Sequence, residues 1–425
     1  DTNMQEYTVA MILTDADGDG LAQELVVSRS FCYPKRNGPQ MDSNFPEYGP
    51  FPHDVLQFCR TRPVGSIAVY KYNANKDVME EISPKVTTSA QPQDQPDKCP
   101  HGSWVNGAHD CNAKSLATGD FDGDLIADVM ILYGSKMEFF LSSDRQKGTT
   151  EFTAPSSVVP LEGGLKECKG GAHVARVVDM DNDGVEEILV MCEFDPGHFL
   201  IYKRGEDKNV WHLEETCSSA LGDLNDASLV GPTQDDYGHM CKCLSSGHHC
   251  EHFGPAKHGC EYYRGERDDP LPLRAVSLSP VDLNNDGFVD IVTTHDFGYT
   301  RFFHNVPGMA ARRNRFVTFQ LVGGPKGGNA YGIGATVILH GERRIPQADG
   351  TTVVEQHHQF REKSTYQHTP DSFGSIDDRI TFGLGTDIYP LDLTVRWSNG
   401  QHETVLDLSN TWSFEPSTYP IMVGE

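Results

Sequence analysis

Four acidic segments of this 425-residue chain repeat one spacing of oxygen-bearing side chains. They read DADGDGLAQE from Asp15, DFDGDLIAD from Asp120, DMDNDGVEE from Asp179 and DLNNDGFVD from Asp282. Alternate positions of each segment carry a carboxylate or an amide, so that the oxygens can surround one point. Calcium takes about six to eight hard oxygen ligands, and a short loop with this spacing can wrap the ion. The spacing therefore predicts a calcium-binding loop in each segment.

The predicted ligands are the side chains at loop positions one, three and five, the main-chain carbonyl at position seven and an acid at position nine. In the third and fourth loops they are Asp179, Asp181, Asp183, Val185 and Glu187, and Asp282, Asn284, Asp286, Phe288 and Asp290. In the second loop they are Asp120, Asp122, Asp124, Ile126 and Asp128. The first loop has Asp15, Asp17 and Asp19, but position nine is Gln23 and Glu24 follows it, so that its closing ligand is open.

Position six is where such a loop turns sharply, and glycine suits it because a positive φ costs glycine least. Three loops have glycine there, whereas the second has Leu125. We therefore expect the second loop to be strained or shaped differently from the others.

An EF-hand uses similar early ligands, but it also requires a glutamate at position twelve and a helix on each side. Position twelve is occupied here by Val26, Ile131, Val190 and Thr293. The flanking runs, such as DIVTT, are short and β-branched, which predicts strands. These features exclude EF-hands.

The composition indicates a β-rich protein. A hydrophobic content of 37 % with 41 glycines and 25 prolines favours many short strands and turns. No apolar run is long enough for a transmembrane helix, so we expect no membrane span. The net charge of −26 argues against nucleic-acid binding, which requires a basic surface.

The loop spacing indicates a repeated unit. The loops start at residues 15, 120, 179 and 282, so the intervals are 105, 59 and 103 residues. Taking the short interval as one repeat, each long interval predicts a further repeat without an intact calcium loop. Candidates are GDLNDASLVG around Asp223 and the strand-like segment 66–75, which parallels segment 199–207. Repeats of this length with short strands predict an all-β fold, a calcium-binding β-propeller of about six or seven blades.

Two resemblances support this interpretation. The acidic loop followed by a strand resembles the FG-GAP repeat of integrin-α-type propellers. RFVTFQLVGGPKGGNAYGIGATVIL, RITFGLGT and LDLTVRWSNGQHETV near the C-terminus resemble the ASPIC/UnbV domain. The combination resembles the cartilage acidic protein family of secreted acidic glycoproteins, and implies a propeller at residues 1–306 and an ASPIC/UnbV-like domain at residues 307–425.

The C-terminal residues by themselves also predict a small antiparallel β-sandwich. Val317, Phe319 and Leu321 alternate with polar neighbours, as half-buried strands do. Gly332 and Gly334 suit a close approach of two backbone segments or a bulge. A hairpin turn is expected at Asn399-Gly400.

The chain has eleven cysteines, which favours disulfides and an oxidising compartment. They are Cys32, Cys59, Cys99, Cys111, Cys168, Cys192, Cys217, Cys241, Cys243, Cys250 and Cys260. Local pairs Cys32–Cys59, Cys99–Cys111 and Cys168–Cys192 fit the spacing, although sequence does not determine connectivity. Zinc binding by Cys241, Cys243, Cys250 and Cys260 or His252 is the alternative for that segment. We expect a secreted, extracellular or organelle-lumenal protein.

No catalytic motif is present: the sequence contains no G-x-S-x-G elbow, no Walker A loop and no H-E-x-x-H pair. The prediction is therefore a non-catalytic, calcium-stabilised scaffold that binds a protein or a glycan, as adhesion, matrix and assembly proteins do. Two alternatives stay open. One is a glycan-binding lectin or a polysaccharide-acting enzyme, and the other is a structural subunit of a large assembly.

Overall fold

The computed structural model confirms an all-β protein and describes a defined part of the chain. The described residues are 7–30, 66–82, 86–87, 114–134, 136–144, 155–161, 172–192, 199–205, 210–213, 275–295, 300–303, 305, 313–324, 329–363, 366–369, 372–375, 378–400, 403–408 and 421–424. Their helical content is the short 3-10 turn Ser142–Asp144. Among these residues, no helix has the length and apolar character to cross a membrane.

Four antiparallel sheets form the N-terminal part of the described structure. The first contains β1 (Tyr7–Thr14), β2 (Glu24–Ser30), β3 (Ser66–Asn73), β4 (Val78–Glu81) and β5 (Val86–Thr87). The second contains β6 (Ser115–Gly119), β7 (Asp128–Leu132), β8 (Lys136–Phe140) and β9 (Ser157–Pro160). The third contains β10 (Ala172–Val178), β11 (Glu187–Cys192), β12 (Phe199–Arg204) and β13 (Trp211–Leu213). The fourth contains β14 (Ala275–Val281), β15 (Asp290–His295) and β16 (Thr300–Phe303). An acidic loop joins the first two strands of every sheet.

The C-terminal strands form two further sheets around one core. The strands of these sheets are β17 (Arg315–Val322), β18 (Thr336–Pro346), β19 (Thr352–Glu362), β22 (Arg379–Gly385), β23 (Ile388–Arg396), β24 (Glu403–Asp407) and β25 (Ile421–Gly424). Between β19 and β22 in the chain, the hairpin strands β20 (Tyr366–Thr369) and β21 (Ser372–Ser375) belong instead to the first sheet. One sheet has the order β22-β17-β25 and the other β19-β18-β23-β24. Phe319, Phe382 and Trp397 lie buried between them. Strands β17 and β25 are parallel, so the prediction of a wholly antiparallel C-terminal fold is wrong for this pair.

The four N-terminal sheets pack face to face in chain order. Ile12 of the first sheet and Ile131 of the second share one buried cluster. Met130 of the second sheet and Ile188 of the third share another, and so do Leu189 of the third and Ile291 of the fourth. Alternating strand residues therefore enter different cores on the two faces of a sheet, as the two-residue period of a strand requires.

This direct packing corrects the interpretation of the loop intervals. No described sheet lies between the first and second or between the third and fourth, so neither long interval places another repeat there. Segment 66–73 is β3, the third strand of the first loop's own sheet, and not part of a separate repeat. Strand β12 is likewise the third strand of its sheet, which agrees with the predicted resemblance between segments 66–75 and 199–207. The segment around Asp223 lies outside the described residues.

A hairpin from the C-terminal part bridges the first and fourth sheets. Strand β20 pairs with β1 through Met11 and His368, and β21 pairs with β20. The same hairpin contacts β14, the first strand of the fourth sheet. Sequence patterns of single strands do not predict this link, because it joins distant parts of the chain.

The acidic loops lie against the C-terminal sheets, and glycines allow the close approach. Gly332 and Gly334 have φ values of 65° and 80°, and a Cβ on Gly334 would lie 3.0 Å from the Ala22 carbonyl oxygen. This confirms the predicted close approach of backbone segments. A Cβ on Gly383 would lie 2.5 Å from the Asn182 Cα in the third loop.

Gly383→Ala tests this contact. The added methyl group meets the backbone of Asn182 and the carboxylate of the buried Asp179, so that neither neighbour can move aside without disturbing the third loop. We expect a loss of at least about 3 kcal/mol in the free energy of unfolding, the upper part of the range for overpacking. Urea-induced unfolding measures it. Gly350→Ala is the control, because Gly350 faces open space and only its φ of 85° opposes a side chain, at a cost of about 1–2 kcal/mol. Equal losses in the two variants would contradict the described contact.

Candidate metal centres

Each acidic loop folds around its own side-chain oxygens. In loop order, the first aspartate accepts the N–H of position six at 2.7, 3.1, 3.0 and 2.9 Å. The side chain at position three accepts the N–H of position five at 3.2, 3.1, 3.1 and 3.0 Å. The aspartate at position five accepts the N–H of position seven at 2.9, 2.9, 2.8 and 2.9 Å. The sequence repeat is therefore a structural repeat in all four loops.

The closing acid of every loop is the first residue of the second strand: Glu24, Asp128, Glu187 and Asp290. It accepts the N–H of loop position two at 3.2, 2.7, 2.8 and 3.0 Å. Glu24 therefore occupies the position of the closing acid in the first loop, where the sequence left Gln23 and Glu24 open. Gln23 turns away and donates to the Ser398 carbonyl oxygen at 2.6 Å. The strand boundary, rather than a fixed count from Asp15, identifies this residue.

Leu125 holds the second loop in the common shape at a conformational cost. Its φ is 65°, and the glycines at the equivalent positions of the other loops have φ values of 89°, 87° and 87°. A residue with a Cβ in this region is disfavoured by about 1–2 kcal/mol. The expected strain is thus present, whereas the expected difference in shape is not.

Three loops bring three carboxylates close enough to share a cation. One oxygen from each member lies within 4.8 Å of the others in the sets Asp15, Asp17 and Asp19; Asp120, Asp122 and Asp128; and Asp179, Asp181 and Glu187. Ligands at about 2.3–2.6 Å from one calcium ion are at most about 5 Å apart, so these sets fit the ion. Among the described acids, histidines and cysteines, the fourth loop forms no such set; its third position is the amide of Asn284.

The third loop has the clearest need for a cation. Asp179 is 6 % exposed, and its Oδ1 has no hydrogen-bond partner. A buried anionic oxygen without a partner is costly. Burial, and then the charge of Asp183, raise the pKa of Asp179 well above its usual range. Burial likewise raises the pKa of Asp15 and of Asp120 to about 6. Asp15, Asp120 and Asp179 therefore lie where ionisation is costly without a counter-charge.

Lysines supply part of that charge in the first and third loops. Lys203 Nζ lies 3.2 Å from Asp181, 2.6 Å from Asp183 and 3.2 Å from Glu187. Lys203 stands opposite Glu187 across the sheet, as Lys71 stands opposite Glu24. Burial lowers the pKa of Lys203, but the charges of Glu187, Asp183 and Asp181 outweigh it and raise the pKa above its ordinary value.

Lys71 makes the same arrangement in the first loop. Its Nζ lies 2.6 Å from Glu24, 3.1 Å from Asp17 and 3.5 Å from Asp19. In the second and fourth loops a main-chain N–H contacts the closing acid: Ser142 donates to Asp128 at 2.6 Å and Asn305 to Asp290 at 2.8 Å. Among the described residues, the closing acid therefore contacts a lysine in the first and third loops and a second main-chain N–H in the second and fourth loops.

The main-chain ligands and most cysteines stay predictions. The amides of Ile126, Val185 and Phe288 donate to position five of their loops, and their carbonyl oxygens remain predicted ligands. Cys192 at the end of β11 is disulfide-bonded, to a partner that the described residues do not include. All the other cysteines, including the proposed zinc segment at 241–260, lie outside the described residues.

Lys203→Met tests whether the ammonium group of Lys203 and calcium compete for the carboxylates of the third loop. The variant leaves Asp181, Asp183 and Glu187 without their ammonium partner, and breaking such a buried pair costs about 3–5 kcal/mol of unfolding free energy without calcium. We expect calcium to bind this loop more tightly, because it no longer competes with Lys203. Calorimetric titration and thermal melting measure the two effects. Lys76→Met is the control, since the exposed Lys76–Glu80 pair contributes about 0–1 kcal/mol. Unchanged calcium affinity in Lys203→Met would refute the competition.

No family model matches the sequence, and no curated protein matches it. Comparison with solved structures gives remote likenesses. A candidate 6-phosphogluconolactonase from Bacteroides uniformis is 10 % identical to this chain, with a TM-score of 0.24. The aligned region covers 94 % of this chain and 92 % of that protein. An exo-β-1,3-galactanase from Phanerochaete chrysosporium is 8 % identical with a TM-score of 0.28, and covers 94 % and 80 %. Likeness at these TM-scores carries no argument about fold or activity.

Proposed function

We propose that the chain is a calcium-stabilised β-propeller scaffold whose loops carry a C-terminal β-sandwich domain. The supporting observation is that all four loops contact the C-terminal sheets. Glu362 of β19 accepts the Thr14 hydroxyl at 2.7 Å and the Asp15 N–H at 2.8 Å. Leu125 packs with Ile338 and Phe360.

The third and fourth loops make the same kind of contact. Arg361 pairs with Glu186 at 3.1 Å, and Gly385 donates its N–H to the Asn182 carbonyl oxygen at 2.8 Å. Arg379 donates to the Asp282 carbonyl oxygen at 2.6 Å. The residues of the C-terminal sheets thus contact either the loop main chain or a residue next to a predicted ligand. These contacts therefore depend on the shape of the loops.

In this proposal the predicted ligands hold calcium within the loops. Asp120, Asp122 and Asp128 would bind it in the second loop, and Asp179, Asp181 and Glu187 in the third. The ion would supply the positive charge that lets these carboxylates stay ionised and close together. The residues themselves shape the loop and present its carbonyl oxygens and amides to the C-terminal sheets.

The proposed role is to hold surfaces for a protein or glycan partner outside the cell or in an organelle lumen. The first aspartate of every loop accepts a main-chain N–H of its own loop, which supports a structural role for these acids over a role in hydrolysis. The outer edge of the first sheet suits a protein partner, because Tyr72, Val78 and Met79 are 53 %, 46 % and 45 % exposed. Neighbouring exposed apolar side chains mark interaction surfaces.

Removal of calcium tests the stabilising role. We expect chelation with EGTA to lower Tm and added calcium to restore it, because a ligand at one hundred times its Kd stabilises the folded state by about 2.7 kcal/mol per site. Differential scanning calorimetry measures the shift. An identical melt in EGTA and in calcium would contradict the proposal.

A variant of the second loop tests the contribution of a single site. Asp120→Asn with Asp122→Asn removes two of its charges at nearly constant volume, and its closing acid contacts a main-chain N–H rather than a lysine. We expect this double variant to lose part of the calcium-induced rise in Tm. Glu355→Gln, an exposed acid far along the sequence from the loops, is the control and should keep the full rise. Equal calcium responses in all three proteins would exclude this loop as a site.

Partner binding tests the scaffold role. Val78→Asp with Met79→Asp should reduce capture of proteins from a native extract at least tenfold, because charge is introduced into the apolar surface. Val353→Asp with Val354→Asp alters another exposed apolar pair, at 42 % and 51 %, and should leave capture unchanged. Quantitative mass spectrometry compares the captured proteins. Selective binding to a glycan array, with no loss of protein capture in the first variant, would favour the lectin alternative.

A further inference from the structure

Arg176 on β10 carries a buried charge that no described group neutralises. The residue is 2 % exposed. Its Nη1 donates to the Ala175 carbonyl oxygen at 2.8 Å, but Nε and Nη2 have no hydrogen-bond partner. Burial lowers the pKa of Arg176 to about 10, and no neighbouring carboxylate offsets this effect. An uncompensated buried charge is among the costliest arrangements in a folded protein.

The two free nitrogens form one edge of the guanidinium. Nε and Nη2 point their N–H groups in parallel, and this fork matches two oxygens of a carboxylate or of a tetrahedral oxyanion. The bond from Nη1 to Ala175 fixes the plane of the group. The fork is therefore oriented before any ligand binds.

Arg176 lines a cavity of about 160 Å³ between β10, β14 and the C-terminal strands β19 and β22. This volume is well above the roughly 10–15 Å³ that one water molecule requires. Three further basic residues, Arg361, Lys363 and Arg379, line the same cavity, together with four acids.

The acids of the cavity do not neutralise Arg176. Glu186 pairs with Arg361 at 3.1 Å, and Glu362 accepts the Thr14 hydroxyl and the Asp15 N–H. Asp179 accepts the Gly184 N–H at 3.0 Å through Oδ2, while its Oδ1 has no hydrogen-bond partner, and Asp282 accepts the Gly287 N–H at 2.9 Å. Neither acid is hydrogen-bonded to Arg176. Water in the cavity would satisfy the hydrogen bonds of Arg176 but not its charge.

We propose that this cavity binds a small oxyanion, a carboxylate or a sulfate- or phosphate-type group, through Nε and Nη2 of Arg176. This site would bind an anion, whereas the acidic loops would bind a cation. It lies where the second, third and fourth sheets meet the C-terminal sheets, so that an anion bound there would lie at their common junction.

The experiment compares wild type, Arg176→Met and the control Arg344→Met in calcium at constant ionic strength. Thermal melting is recorded in chloride, in sodium acetate and in sodium sulfate. We expect acetate, sulfate or both to raise the Tm of wild type and of Arg344→Met by several degrees, and not that of Arg176→Met. Arg344 is a suitable control because its side chain is 47 % exposed and pairs with Glu342 at the surface. General salt effects on stability act on all three proteins alike.

A response to acetate alone identifies a carboxylate site, and a response to sulfate alone a tetrahedral-oxyanion site. Equal shifts in wild type and Arg176→Met, or no anion-specific shift in wild type, would overturn the proposal. If Arg176→Met does not fold, Arg176→Lys keeps the charge without the fork. Calorimetric titration of that variant should then show at least tenfold weaker anion binding, and unchanged affinity would overturn the proposal.

Discussion

Repulsion among the loop carboxylates is the constraint on which the arrangement of the sheets depends. Each loop brings several acids to the point where two strands begin and where the C-terminal sheets make contact. Main-chain N–H groups donate hydrogen bonds to these carboxylates, and Lys71 and Lys203 supply positive charge in two of the loops. In our proposal calcium balances the remaining charge and so preserves the contacts that join the sheets.

Hydrogen bonds between the acidic loops also link the third and fourth sheets. The Asn182 side chain donates to the Gly287 carbonyl oxygen at 2.8 Å, and Asn305 donates to the Met180 carbonyl oxygen at 2.8 Å, so the third and fourth loops contact each other directly. The Asn314 side chain also donates to the third loop, at the main-chain carbonyl oxygen of Asp181. Neutral amides make these bonds, which add no further charge to an acidic surface.

Local chemistry was predictable from the sequence, whereas long-range placement was not. The spacing of acids and the glycine at position six predicted the loops, and alternation predicted strands such as β17, because both patterns reflect neighbouring residues. Glu24 could be assigned as the closing acid only from the strand boundary. The repeat interval did not predict that the first and second sheets, and the third and fourth, pack directly on each other, because the packing of distant segments has no local pattern. Arg176 has no sequence signal at all. A single arginine in an apolar strand becomes notable only when its burial and its lack of partners are known.

The hairpin β20–β21 has a consequence for the synthesis of the chain. Strand β1 is synthesised long before strand β20, which pairs with its edge. The nearby Thr14–Glu362 hydrogen bond spans 348 residues. Contacts of such long range form slowly, since a large loop must close before they contribute. During translation the first sheet therefore keeps an exposed edge, which is the kind of surface that chaperones shield from other chains.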